Sequence, residues 1–305
     1  MSFLEILLES SNPQERKKKQ MCAVIIAVTA VLLAIALIAF AICQVVDMTA
    51  NSSSDEEKDT EEETVDLGEL TVKQLSDTAI YSGNLLTLND NNHYKGEPEL
   101  LNIEAERKAN GAFISLFSKK SVFEATPETV QALCDMVNAC NKALNDDDNL
   151  VLSNAYDTSA ISTQSGVFSS GEAVAISCCF EGSTSDIRPI NEVEKYKWIY
   201  SNAHKYGFVA VSSKSNVFRY VGVTHATAAK TRGLYLDNYL KQLKTATAES
   251  PTVLNASGNI VAYTCPISDV KVPNNYKYDI SGNNVDGVIV TVYLAQSASN
   301  TTVEE

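Results

Sequence analysis

The stretch Asn191 to Gly222, NEVEKYKWIYSNAHKYGFVAVSSKSNVFRYVG, decides the fold, and the rest of the chain can be built outward from it. Its first half is helical in character. Asn191 stands where a cap belongs, Glu194 follows three residues on as a capping-box partner, and Val193, Tyr196, Tyr200 and Ala203 recur at helical spacing. Gly207 is placed to end the helix, because glycine takes the left-handed conformation of a closing turn without a Cβ penalty. Two strands are expected next, Phe208 to Val211 and Val217 to Val223, both rich in β-branched or aromatic residues. The polar run Ser212 to Asn216 has the composition of their connection.

Towards the N-terminus the chain changes character twice. Residues 1–20 are a short tail closing on the basic run Arg16 to Lys19, followed by Met21 to Cys43, twenty-three residues without a charge. At 1.5 Å per residue that run is long enough to cross a hydrocarbon core of about 30 Å, so 21–46 is read as a transmembrane helix. A cleaved signal peptide would have an apolar core of only about 7–15 residues. The basic cluster lies on the N-terminal side, which puts that end in the cytoplasm and the main domain outside. Residues 47–68, rich in Ser, Asp, Glu and Thr, read as an acidic disordered stalk that gives reach. The formal net charge of −14, held mainly by the outer part, argues against a nucleic-acid partner.

Residues 69–247 are long enough for one sizeable core, with 248–297 as a C-terminal β extension and 298–305 as a tail. Thr126, Pro127 and Glu128 read as cap, first-turn proline and N-terminal acid of a helix whose apolar stripe is Val130, Leu133, Met136, Val137, Cys140 and Leu144. Strands are expected at Asn84 to Asn89, Ala112 to Phe117, Asn149 to Asn154 and Ala173 to Phe180, and a helix at Leu236 to Leu243. In the extension, strands near Asn259 to Cys265 and Val288 to Leu294 flank a turn-rich segment. Strands and helices in mixed order give an α+β fold, with a central, mainly antiparallel sheet and helices packed on it. Five of the seven cysteines lie outside the membrane segment, and an odd number does not make a disulfide framework, so buried thiols are expected. Trp198 reads as core. The sequons at Asn51, Asn255 and Asn300 carry little weight, because the pattern is frequent by chance.

The tryptophan followed by NAHKYGF, the strand ending in FRYVG, and then HA and LYLDNYL resemble the VanY-type D-alanyl-D-alanine carboxypeptidases of bacterial cell walls. The resemblance extends from about Leu70 to Leu294. It takes in YSGNLLTLNDNNHY (Tyr81 to Tyr94), LVLSNAY (Leu150 to Tyr156) and, as in clostridial relatives, YDISGNNVDGVIVTV (Tyr278 to Val292). The family implies one Zn²⁺ held by His, Asp and His, with a Glu as general base. Its two signatures, S-x-H-x-x-G-x-A-x-D and E-x-W-H before FRYVG, align with GVFSSGEAVA (Gly166 to Ala175) and KSNVFRYVG (Lys214 to Gly222). The metal ligands then fall on Phe168, Ala175 and Val217, and the base on Lys214. None of the three can donate a lone pair to zinc, and a cationic lysine cannot accept the water's proton. His93, His204 and His225, all the histidines the chain has, lack the spacing to replace them.

The expectation is therefore a degenerate family member, without zinc or catalysis. It is anchored in the membrane and keeps a groove for a peptidoglycan stem peptide or a cell-wall enzyme. The competing reading is an active cell-wall peptidase with non-standard site residues. Candidate groove contacts are Tyr156, Asp157, Ser170, Lys214, Arg219 and His225. The family's Arg after the central-strand Tyr is Asp157 here, opposite Lys214 at the base position. That exchange of sign leads to the expectation that Asp157 and Lys214 form a pair across the vacant metal position.

Overall fold

Thr126 and Pro127 start the longest helix among the described residues, and the sheet is laid against its apolar stripe. The computed structural model describes residues 65–116, 122–145, 149–158 and 165–297. The transmembrane reading of 21–46 and most of the stalk lie outside them; among the described residues no helix is long and apolar enough to cross a membrane. In chain order the strands are β1 (Leu70–Val72), β2 (Leu101–Asn102), β3 (Ser115–Leu116), β4 (Phe123–Ala125), β5 (Leu150–Asn154), β6 (Tyr156–Asp157), β7 (Ala173–Cys179), β8 (Ile187–Pro189), β9 (Phe208–Ala210), β10 (Val217–Tyr220), β11 (Thr252–Val253), β12 (Ile260–Pro266), β13 (Lys271–Pro273), β14 (Tyr276–Gly282) and β15 (Gly287–Ser297). The helices are α1 (Ile103–Ala109), α2 (Pro127–Leu144), α3 (Lys197–Asn202), α4 (Val223–Thr231) and α5 (Leu236–Thr245).

The central sheet runs β3-β5-β7-β10-β9, with β8 on β7; β3 and β5 are parallel and the other pairs antiparallel. Every residue of β7 is buried, as befits its central place. Leu133, Met136, Val137 and Cys140 of α2 share one core with Leu152, Val174, Ile176, Cys178 and Phe218 of the sheet, and Trp198 packs at its margin. The Thr126 hydroxyl accepts from Thr129 N at the start of α2, satisfying one of the helix's free amides. Cys134, Cys140, Cys178, Cys179 and Cys265 are buried. Burial pushes the Cys134 thiol up to about 11, which keeps it protonated and unreactive.

Four local expectations are corrected. No capping box forms at Asn191: 3-10 turns occupy 190–192 and 194–196, and α3 starts at Lys197, while the Asn191 amide donates instead to Lys214 O at 3.4 Å. Residues 84–89 make no strand, since the carbonyls of Asn84 and Leu86 are engaged by a side chain. The second hairpin strand stops at Tyr220, because Gly222 opens α4 with φ +78°. Leu67, inside the stretch read as stalk, is 4% exposed and packs with Val261, Tyr263 and Val292. Gly207 behaves as expected. It sits at φ +83°, and an added Cβ would come within 2.5 Å of the Tyr220 ring.

The C-terminal residues form a sheet ordered β11-β12-β15-β14. β14 lies in the segment expected to be turn-rich, and the reversal expected there comes after it. Asn283 Oδ1 accepts from the amides of Val285, Asp286 and Gly287 and shapes that turn. Leu254, just after β11, and Ala262 and Ile289 of this sheet share a core with Leu85, Val209, Tyr239 and Leu240, and β1 pairs with β13. The extension is thus packed into the domain rather than hung from it.

Candidate functional site

β7 and β10 lie side by side in antiparallel register, with Val217 opposite Ala175 and Arg219 opposite Ala173. Alternation along a strand puts Ala173, Ala175, Val217 and Arg219 on one face. Just before β7 the chain makes a 3-10 turn, Gly166–Phe168, and passes through Gly171 at φ +75°, where Gly171 N donates to Phe168 O. That fold-back brings Phe168 over the sheet. Phe168, Ala173 and Ala175, with Val167 and Val217 against them, form an apolar cluster separate from the main core. Three residues from two distant motifs, Phe168, Ala175 and Val217, are therefore gathered at one place. Lys214 is not among them and stands exposed in the β9–β10 connection.

Next to the cluster on the same face is a buried ion pair that sequence reasoning missed. Arg219, 1% exposed, donates from Nη2 to Glu172 Oε2 at 3.0 Å and to Asn84 O at 3.3 Å, and from Nη1 to Leu86 O. Glu172 is itself 7% exposed and accepts a second hydrogen bond from the Ser170 hydroxyl at 3.1 Å. Burial pushes the Glu172 carboxyl above the usual carboxylate range, and the Arg219 guanidinium opposes that rise. Arg219 thus clamps residues 84–86 and does not line the cavity described next. No local pattern links positions 47 apart in sequence.

Ser170, Glu172 and His225 border a cavity of about 700 Å³, formed also by residues 83–86, Tyr94, residues 97–99, 126–128 and 220–224 and, from the extension, by Asp279, Ile280, Ser281, Thr291 and Tyr293. Two of the expected groove residues, Ser170 and His225, are therefore brought together. Both nitrogens of His225 are engaged, Nδ1 with Tyr239 Oη at 2.7 Å and Nε2 with Thr291 Oγ1 at 2.9 Å. Burial holds this imidazole down at about 4, so it is neutral and ties α4 to α5 and to β15. Tyr156, Asp157 and Lys214 do not border the cavity. Tyr156 and Asp157 form β6, which pairs with β4 in another sheet. Asp157 thus stands on β6, and Lys214 on the exposed β9–β10 connection. Lys214 keeps its hydration on an exposed turn, so no desolvation penalty demands a partner.

No protein-family model matches the chain. A D-alanyl-D-alanine carboxypeptidase of Enterococcus faecium is 32% identical over 130 residues, which is 38% of this chain and 42% of that protein. The chain thus spans less than half the length of the curated relative it matches. Among solved structures, it is similar to the vancomycin-resistance D,D-dipeptidase VanXYg in complex with a D-Ala-D-Ala phosphinate analogue (TM-score 0.49, 17% identity, 74% of this chain and 100% of that one). It is also similar to VanYB in complex with D-alanine-D-alanine (TM-score 0.37, 20% identity, 53% and 99%). By its sequence match, the chain is similar over those 130 residues to a D-alanyl-D-alanine carboxypeptidase.

Proposed function

We propose that this protein is a membrane-tethered, non-catalytic relative of the D,D-carboxypeptidases that binds a peptidoglycan stem peptide or a cell-wall partner outside the membrane. The observation that carries the reading is the convergence of Phe168, Ala175 and Val217, the aligned metal positions, in one apolar cluster with Val217 in register with Ala175. A catalytic zinc needs three N, O or S donors and an open position. A phenyl ring, a methyl and an isopropyl group supply none, so the residues present do not fit the metal. At the aligned base position stands Lys214 in place of the family's Glu, so the carboxylate that would take the water's proton is missing there. Similarity to a D-alanyl-D-alanine carboxypeptidase supports a wall peptide ending in D-alanine as the ligand class. The hydrophobic run Met21 to Cys43 and the acidic segment after it support a tether that holds the domain at a distance from the bilayer.

The test uses the full chain in detergent, supplied with Zn²⁺ and a peptide ending in D-Ala-D-Ala. Retention of the peptide, with no D-alanine released and no stoichiometric zinc after dialysis, is the expected result. Release of D-alanine together with about one zinc per chain would establish the competing reading, an active peptidase with unusual site residues.

A further inference from the structure

A second cavity, of about 150 Å³, lies at the β9 edge of the central sheet, bordered by α3, β9, α4 and the connection from α4 to α5. It shares no lining residue with the larger one. α4 contributes to both, with Val223, Thr224 and His225 lining the larger cavity and Ala226 and Lys230 the smaller.

The smaller cavity changes character from floor to rim. Ala203, Phe208, Val209, Phe218 and Ala226 line it and are buried, whereas Lys230, Gly233 and Tyr235 line it and are exposed. Tyr200, also in the lining, rests on Phe218 with ring centroids 5.0 Å apart. Its volume matches that of an apolar cavity able to hold one benzene ring. Rings in the wall favour an aromatic guest, through offset or edge-to-face contacts.

The rim is positive. Among the described residues lining the cavity there is no Asp or Glu. Lys230 Nζ donates to Tyr200 O at 3.1 Å, and Lys205 Nζ, next in sequence to the lining His204, donates to Asn202 Oδ1 at 2.9 Å. Both acceptors are neutral, so neither offsets an ammonium charge, and Lys230 has further donors to offer. Burial, with the charges of Lys230 and Lys205, holds the His204 imidazole below its usual range. In a chain of net charge −14 this is a local reversal of sign. An apolar floor below a cationic rim suits a guest that is apolar at one end and anionic at the other.

We propose that this cavity is a binding site for a small aromatic monocarboxylate, its ring on the floor formed by Phe208, Val209 and Phe218 and its carboxylate against the Lys230 ammonium. The site stands apart from the stem-peptide reading, since no residue of the larger cavity or of the apolar cluster takes part.

The experiment is calorimetric titration of the full chain, in detergent, with benzoate, its neutral analogue benzamide, and acetate, each corrected for its heat of mixing with detergent alone. The expected result is saturable binding of benzoate that weakens with salt, and at least about tenfold weaker binding of both benzamide and acetate. Lys230→Gln, at an exposed position, should weaken benzoate towards the level of benzamide. Ala210→Phe, which puts a ring into the cavity from β9, should abolish benzoate binding. Should Ala210→Phe fail to fold, Lys230→Gln and the two analogues still decide. Benzamide binding as tightly as benzoate would mean that the rim recognises no anion, and acetate binding as tightly would mean that the floor recognises no ring; either overturns the proposal. So does benzoate binding that Lys230→Gln leaves unchanged, or no benzoate binding at all. Because no probe is a peptide, that failure is separable from failure of the stem-peptide reading.

Discussion

Arg219 and Glu172 set the terms at the scale of single residues. Both are almost fully buried, and the guanidinium clamps two carbonyls of the 84–86 segment as well as the carboxylate. Replacing Arg219→Met leaves a buried carboxylate without its counter-charge, and a loss of about 3–5 kcal/mol in unfolding free energy is expected in urea titration. The double variant Arg219→Met, Glu172→Gln should recover part of it, since the uncompensated charge is then gone. His225 sets a pH dependence. Its folded value of about 4 lies below the ordinary 6.5, so the folded state binds fewer protons than the unfolded one between those values. Stability from this group is full above pH 6.5 and falls as pH drops towards 4, by up to ~3 kcal/mol. Glu172, whose carboxyl is raised by burial, contributes with the opposite sign. Melting temperatures of the chain and of His225→Gln, compared from pH 7.5 to 4.5, isolate the histidine; its slope should vanish in the variant.

At the scale of elements, two helix starts that look alike in sequence behave differently. Thr126 caps α2, accepting from Thr129 N, whereas Asn191 caps nothing and its amide makes only a 3.4 Å bond to Lys214 O. Thr126→Ala should therefore cost about 1 kcal/mol, and Asn191→Ala less than about 0.5 kcal/mol, in chemical denaturation. Equal losses would mean that a capping box forms at Asn191 in solution. The difference arises from the residues downstream of each cap. The segment after Thr126 keeps its apolar stripe on one face for eighteen residues. The segment after Asn191 must first bury Tyr196 in the core, beside Ile190, through two 3-10 turns, and only then becomes α-helical.

At the scale of the whole molecule, the apolar cluster poses a test of geometry. The combined variant Phe168→His, Ala175→Asp, Lys214→Glu, Val217→His is expected to take up about one Zn²⁺ per chain, measured by elemental analysis after dialysis. The expectation rests on the register of β7 against β10 and on the turn that carries Phe168 over them. A folded variant without zinc would mean that the backbone no longer holds the family's ligand geometry. Lys214 is the weakest of the four, because it lies on an exposed turn away from the cluster, so zinc uptake should survive omission of Lys214→Glu.

What the sequence determined by itself was what neighbours along the chain can dictate: the α2 start at Thr126 and Pro127, the stop at Gly207, the β9–β10 connection, and the two motifs on which Phe168, Ala175, Lys214 and Val217 fall. β14 was not read as a strand, because the turn residues around it mask the alternation of Tyr276, Tyr278 and Ile280 with Lys277, Asp279 and Ser281. Leu67 was not legible, because a composition reading averages a single apolar residue into its acidic surroundings. Only the tertiary structure decided that Arg219 meets Glu172, that Tyr156 and Asp157 pair with β4, and that His225 bridges α5 and β15. Each of these depends on which surfaces face one another after the chain has packed. A charge finds its partner by desolvation and geometry in three dimensions, and neither leaves a period in the sequence.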